Sequence, residues 1–158
     1  MKPRNIFSLM SLGLFLLVLA ACDSKPVMTE VPYTKLQNYF FRNNAQIPTN
    51  PKIDTQEQFD SLFGMATLMG PNGQPTAVDF ERQFVVSVVL PVTNQPTELY
   101  DEQLHSYKDL LGHSNLLFCY SAKRGSDTLS YKMQPILLIA VDRQYDAEHV
   151  SISEVVDE

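Results

Sequence analysis

The sequence predicts an α+β domain: one or two N-terminal helices followed by a small antiparallel β-sheet or sandwich. Three observations carry this. Residues 54–64 join a capping pattern to apolar side chains at helical spacing, whereas Phe84–Leu90 and Ile136–Val141 are apolar runs rich in β-branched residues. The apolar pattern thus changes from helical to extended along the chain, the order expected when helices gather at one end of an antiparallel sheet.

Thr34 can cap a first helix running through Arg42, with Leu36, Tyr39, Phe40 and Phe41 as a broad apolar face and Asn43-Asn44 as its end. Pro48, Asn50 and Pro51 mark a loop. Asp54-Thr55-Gln56-Glu57 has acidic cap spacing, with Glu57 at the third helical position. Phe59, Leu62 and Phe63 then fall at i, i+3 and i+4, and Gly64 is a natural stop, so a helix is expected over 55–63. Residues 70–75, Gly-Pro-Asn-Gly-Gln-Pro, form a turn-rich loop. Phe84–Leu90 suits a strand buried on both faces. Pro91 and Pro96 bracket a loop, 97–109 reads as a more polar strand, 112–115 as a turn and Leu116–Tyr120 as a strand. Lys123–Asp127 has the composition of a hairpin tip, with Leu129–Met133 as the return strand. Pro135 is tolerated at a strand start, ahead of a second buried strand at Ile136–Val141. Val150 and Ile152 predict a last short strand. Residues 33–158 are therefore expected to form a single domain.

The N-terminus carries an address. Lys2 and Arg4 precede an almost wholly apolar run, Ile6–Leu19, which ends in Leu19-Ala20-Ala21-Cys22. Spanning a bilayer as a helix takes about 20 apolar residues, and this run is shorter. The segment resembles the lipobox of bacterial lipoprotein precursors. That resemblance implies that residues 1–21 are a signal peptide cleaved before Cys22. It also implies diacylglycerol on the Cys22 sulfur and an acyl chain such as palmitate on the new amino group. Several chains are needed because one holds a protein only marginally. Residues 22–32, polar or proline-containing, then form a lipidated tether free enough to let the domain reorient. The location implied is the bacterial cell envelope, facing the periplasm, with the cell surface as the alternative. Asp23 resembles the inner-membrane retention signal of enteric lipoproteins and equally reads as a plain tether residue; Asp23-Ser24-Lys25 does not match the acidic run that sends some bacterial lipoproteins to the cell surface.

Cleavage there removes two of the 12 basic residues and none of the 18 acidic ones, leaving a formal charge of −8. Such a balance excludes nucleic acid as a partner and charge-driven attachment to an anionic membrane. With Cys22 lipidated, Cys119 is the one thiol left, so no internal disulfide can form. Its neighbours Leu116, Leu117, Phe118 and Tyr120 predict a buried structural thiol.

No residue pattern specifies catalysis. His105, His113 and His149 lie far apart and outside any H-x-x-x-H or C-x-x-C spacing, so neither a metal nor a cofactor is expected. No G-x-S-x-G elbow occurs. Asp101 and Glu102 are adjacent and would point to opposite faces of a strand, which is poor geometry for paired acid/base work. Asp79 and Glu81 read as solvated residues at a strand start. Lys123-Arg124 is the one adjacent basic pair of the mature chain. With loop residues Thr93, Asn94 and Gln95 it forms the candidate contact set for a protein partner.

A second resemblance covers residues 53–142. Glu-Gln-Phe-Asp-Ser-Leu-Phe (57–63) is followed by a loop, then Val78-Asp79-Phe80-Glu81 ahead of Phe84–Leu90, a loop with Thr93, and Pro135 before Leu138–Val141. The order is similar to the protease-complex-associated lipoprotein C-terminal domain family (PrcB C-terminal type), small β-rich domains that assist or regulate a protease. The chain departs from that family in the loop after the strand. Thr93-Asn94-Gln95-Pro96-Thr97 stands where the family carries a Thr-Gly-Gly-Tyr-like loop. Glycine reaches positive φ at no steric cost and these residues do not.

The function expected is that of a lipid-anchored envelope protein with a small binding or accessory domain, not an enzyme, regulating a protease or another envelope protein. The alternatives are a structural or assembly lipoprotein of an envelope complex and a small hydrolase.

Overall fold

The computed structural model describes residues 26–70 and 72–156. The expected signal peptide and Cys22 lie outside these residues. Within them the elements run β1 (Thr29–Glu30), β2 (Tyr33–Lys35), β3 (Tyr39–Phe41), β4 (Lys52–Ile53), α1 (Gln56–Leu62), β5 (Phe63–Met65), β6 (Gln83–Val89) and β7 (Thr97–Lys108). Then come β8 (Ser114–Arg124), β9 (Ile136–Asp142), a 3-10 turn (Arg143–Tyr145) and β10 (His149–Val155). Strands take 45% and helix 8%, so the expected α+β class with helices first is corrected to a mostly β fold with one short helix.

The central pair is β6 and β9, antiparallel from Gln83↔Asp142 to Val89↔Ile136. Both alternate apolar residues on both faces. Phe84, Val86 and Val88 with Leu137, Ile139 and Val141 enter one core; Val85, Leu138 and Ala140 enter another. This two-sided burial is what their continuous apolar runs anticipate. With β2 and β4 at its margins the pair makes a four-stranded sheet, β2-β9-β6-β4. A second sheet, β1-β7-β8-β10, packs on one face through Leu104, Leu116, Phe118 and Tyr120. The other face is covered by α1 and the β3–β5 ribbon through Phe41, Phe59 and Phe63, joined by Leu36 from the turn between β2 and β3. The result is a β-sandwich with a helical patch on one outer side.

The helix starts one residue later than its acidic pattern indicates. Thr55 is the N-cap and its side chain accepts from the Gln58 N–H, while the Gln58 side chain reaches back to the Asp54 N–H. Gly64 does not stop it. The chain turns from Leu62 straight into β5, where Gly64 lies under the Phe40 ring; a Cβ there would stand 2.4 Å from Phe40 Cζ.

The helix expected over Thr34–Arg42 is two strands, β2 and β3. Asn38, at φ +63°, turns the chain between them, and its side chain donates to the carbonyls of Asn72 and Gln74. Tyr39, Phe40 and Phe41 are aromatic residues that favour a pleated surface, and β5 supplies the partner edge. The segment expected as tether is also shorter. Thr29–Glu30 pair with Ser106–His105, and Val31 is buried in the sandwich core.

Leu129–Met133 does not return beside β8 either. It crosses to the other sheet, touching residue 93 by a single bridge. The neighbours of β8 are β7, antiparallel, and β10, parallel. A parallel neighbour requires the intervening excursion through β9, which a hairpin at 123–127 would forbid.

Two clusters fasten the layers. At one margin the Tyr33 hydroxyl donates to the Glu102 carbonyl at 2.7 Å, and Lys35 pairs with the Glu102 carboxylate, tying β2 to β7 across the sandwich. Burial works against the Glu102 charge, yet the Lys35 hydrogen bond, its own N–H and the Lys35 charge together hold its pKa below the usual glutamate value. Asp101, at φ +52°, forms the adjoining bulge in β7. At the other margin Arg143 donates to the carbonyls of Phe80 and Asp54, at 3.1 and 2.7 Å, and so joins the 3-10 turn to the start of α1. Phe80 meanwhile packs on Phe59.

Two outcomes follow from this packing. Phe59 is buried against Tyr39, Phe63 and Phe80, so Phe59→Ala should lower unfolding free energy by about 3–5 kcal/mol in urea titration. Lys35→Met should cost about 0.5–1 kcal/mol near neutral pH. Because the folded pKa of Glu102 is depressed, its contribution is complete above the unfolded value and disappears as pH falls through the folded one. The gap between parent and variant should therefore be constant at neutral pH and close below the ordinary glutamate value of 4.5.

Candidate functional site

The loops at 91–96 and 125–135 lie far apart in sequence and meet at one end of the sandwich. Backbone hydrogen bonds knit them. Thr93 and Met133 exchange two, each 2.8 Å; the Leu129 N–H donates to Asn94 O at 2.7 Å and the Gly125 N–H to Pro96 O at 2.7 Å. The Leu90 N–H donates to Pro135 O at 3.0 Å, closing the base. Within the first loop the Gln95 N–H donates to Thr93 Oγ1 and the Thr97 hydroxyl to Gln95 O, both at 3.1 Å. Short side-chain bonds of this kind shape a turn without glycine.

Two shallow clefts flank this seam. One, of about 370 Å³, is lined by Pro96, Glu98, Lys123, Leu129, Tyr131 and Met133. The other is bordered by Val92, Thr93, Gln95, Thr97, Arg124 and Pro135. Glu98 and Lys123 are directly opposed across β7 and β8, so the first cleft has an apolar floor and a rim of both charges. Tyr131, 62% exposed, stands over it.

All five residues expected as contacts lie at this end, with unequal roles. Thr93 and Asn94 build the seam through their backbone groups. Gln95 borders the second cleft, and Lys123 lines the first. Arg124 is already engaged: its guanidinium grips Glu154 of β10 with two bonds, at 2.6 and 3.1 Å, and Tyr120 donates to the same carboxylate. The hydrogen bond from Arg124 is the main reason the Glu154 pKa lies below its usual value. Arg124 therefore fastens the parallel strand β10 to β8. Leu129, Tyr131 and Met133 were not legible as site residues, because their alternating pattern reads as a strand. The turn chemistry of Gly125-Ser126-Asp127 marks where the chain departs, but not toward which sheet.

Other chemical candidates have structural roles. The Asp79 carboxylate accepts from the Glu81 N–H in the turn before β6. Among the described residues no group of three His, Cys, Asp or Glu side chains could hold a metal ion. Cys119 is not in the core as expected. Strand alternation turns Phe118 and Tyr120 inward and leaves Cys119 half-buried on the outer face of its sheet. Burial pushes its thiol pKa up. Since the thiolate is the nucleophile, iodoacetamide should alkylate folded protein more slowly than unfolded protein at neutral pH, with the rate rising only at more alkaline pH. Alkylation as fast as in urea would contradict the geometry.

Comparisons of the chain with protein-family models, with curated proteins and with solved structures find no match in any of the three.

Proposed function

We propose that the chain is a lipid-anchored protein of the bacterial cell envelope whose sandwich is a binding or accessory domain, with the knitted loop end as its contact surface. The single observation that supports this is the cleft under Tyr131. It combines an exposed aromatic, an apolar floor of Leu129, Met133 and Pro96, and the opposed charges of Glu98 and Lys123. A few buried aromatic anchors ringed by polar groups carry most of the energy in protein contacts. The lipid anchor rests on the Leu19–Cys22 pattern. The partner in this reading is an envelope protein, either a protease that the domain regulates, as the resemblance over 53–142 implies, or another protein of the envelope.

Arg124→Glu would break the Glu154 clamp and confound loss of fold with loss of contact, whereas Tyr131 and Lys123 are exposed. A photo-crosslinking amino acid at position 131 should give a discrete adduct in intact envelopes, while the same group at Leu68, an exposed residue remote in sequence from these loops, should not. With the partner in hand, Tyr131→Ala should weaken binding by about 2 kcal/mol, roughly thirtyfold, with unchanged melting temperature. Identical adducts from both positions, or unaltered affinity, would count against the loop end as the contact.

A further inference from the structure

The opposite end of the sandwich carries a second apolar feature. Leu110 and Leu111 form the turn between β7 and β8 and are 97% and 82% exposed. They are held out by a built turn. The Asp109 carboxylate accepts from the N–H groups of Leu111 and His113, both at 2.9 Å, and meets the His113 ring at 3.1 Å. The Gly112 N–H donates to Asp109 O, with Gly112 at φ +87°, where a side chain would be strained. Burial works against the Asp109 charge, but the bonds from His113 and Leu111 outweigh it and hold the carboxyl below its usual range. Two adjacent leucines fixed in water at a hairpin tip are a cost that folding does not explain.

The N-terminal chain arrives at the same tip. Thr29 pairs with Ser106 and Glu30 with His105, so the register carried back two residues sets Val27 opposite Lys108. Val27 borders one depression with Tyr107, Lys108 and Ser114, and is itself exposed. Cys22 precedes Val27 by five residues, a reach of at most about 18 Å. The loop end is farther: β8 runs from Ser114 to Arg124, about 33 Å at the rise of a strand.

We infer that the Leu110–Leu111 turn, with Val27 beside it, docks into the interfacial layer of the bilayer that holds the lipid on Cys22. This rests on the lipid-anchor reading above and deepens it. The lipid supplies the first attachment and the leucines the second. Together they hold the sandwich upright with the Tyr131 cleft facing away from the membrane. Asp146 and Glu148 border Leu111, and Lys52 in the same depression is paired with Asp146, so the contact is made by apolar burial and does not depend on anionic lipid.

The chain contains no tryptophan, so one introduced indole reports its own surroundings. L110W and Y131W are made separately in the full chain, matured in bacteria and placed in phosphatidylcholine vesicles with brominated acyl chains. Mass spectrometry of the N-terminal peptide reads lipidation independently. L110W fluorescence should be blue-shifted and quenched roughly threefold more than that of Y131W, as burial about 5–10 Å into the interface requires. Equal quenching at the two positions, or none at either, with lipid present on Cys22 would overturn the inference and leave the anchor standing. A blue shift without bromine quenching that grows with protein concentration would assign the tip to a second copy of the chain, and also overturn it. An unmodified Cys22 would remove the anchor reading and this inference with it.

Discussion

Burial of the β6–β9 pair on both faces is the constraint from which the rest of the molecule follows. Each strand sends one set of side chains toward β7 and β8 and the other toward α1 and the β3–β5 ribbon. A sheet with two apolar faces must be covered twice, because each fully buried valine, leucine or phenylalanine contributes about 1.5–3 kcal/mol. One cover is the second sheet and the other the helical patch. Phe59, Phe63, Tyr39 and Phe80 pack ring against ring in that patch, so seven helical residues suffice to close it.

The second sheet is covered on one face only, and its strands show it. In β8, Leu116, Phe118 and Tyr120 point inward while Leu117 and Cys119 are half-exposed. Its long β7–β8 pairing gives the sandwich two separated ends. One end is the Leu110–Leu111 turn, beside which the N-terminal segment enters through β1. The other is the seam of the 91–96 and 125–135 loops. In the arrangement proposed above, a short lipidated chain holds one end and the other stays open to a partner.

Much of the β-structure was legible in the chain. Phe84–Leu90 and Ile136–Val141 read as two-sided strands because every position but Ser87 is apolar, and that requirement is local to the strand. Phe59, Leu62 and Phe63 marked the helix by spacing, although the cap was Thr55 and not the acidic pair. The first segment misled because Leu36, Tyr39, Phe40 and Phe41 satisfy a helical face and a pair of strands equally well. The decision came from Asn38 and from an edge, β5, that lies more than 20 residues onward. The sequence named five expected contact residues in two loops, but neither the meeting of those loops at one end nor the division of labour among the residues was visible in it. Arg124 is held by Glu154, and the cleft is floored by Leu129 and Met133, through long-range pairings.

By itself the sequence determined where the buried strands lie, where the turns fall and which cysteine stands at the end of the apolar leader. These are matters of local pattern, since periodicity and turn chemistry act over a few residues. Only the tertiary structure decided that β10 runs parallel to β8, that residues 125–135 cross to the other sheet, and that Tyr131 and Leu110 occupy opposite ends of the sandwich. Those outcomes depend on which sheet edges remain unpaired once β6 and β9 are covered, and no local window of residues contains that information.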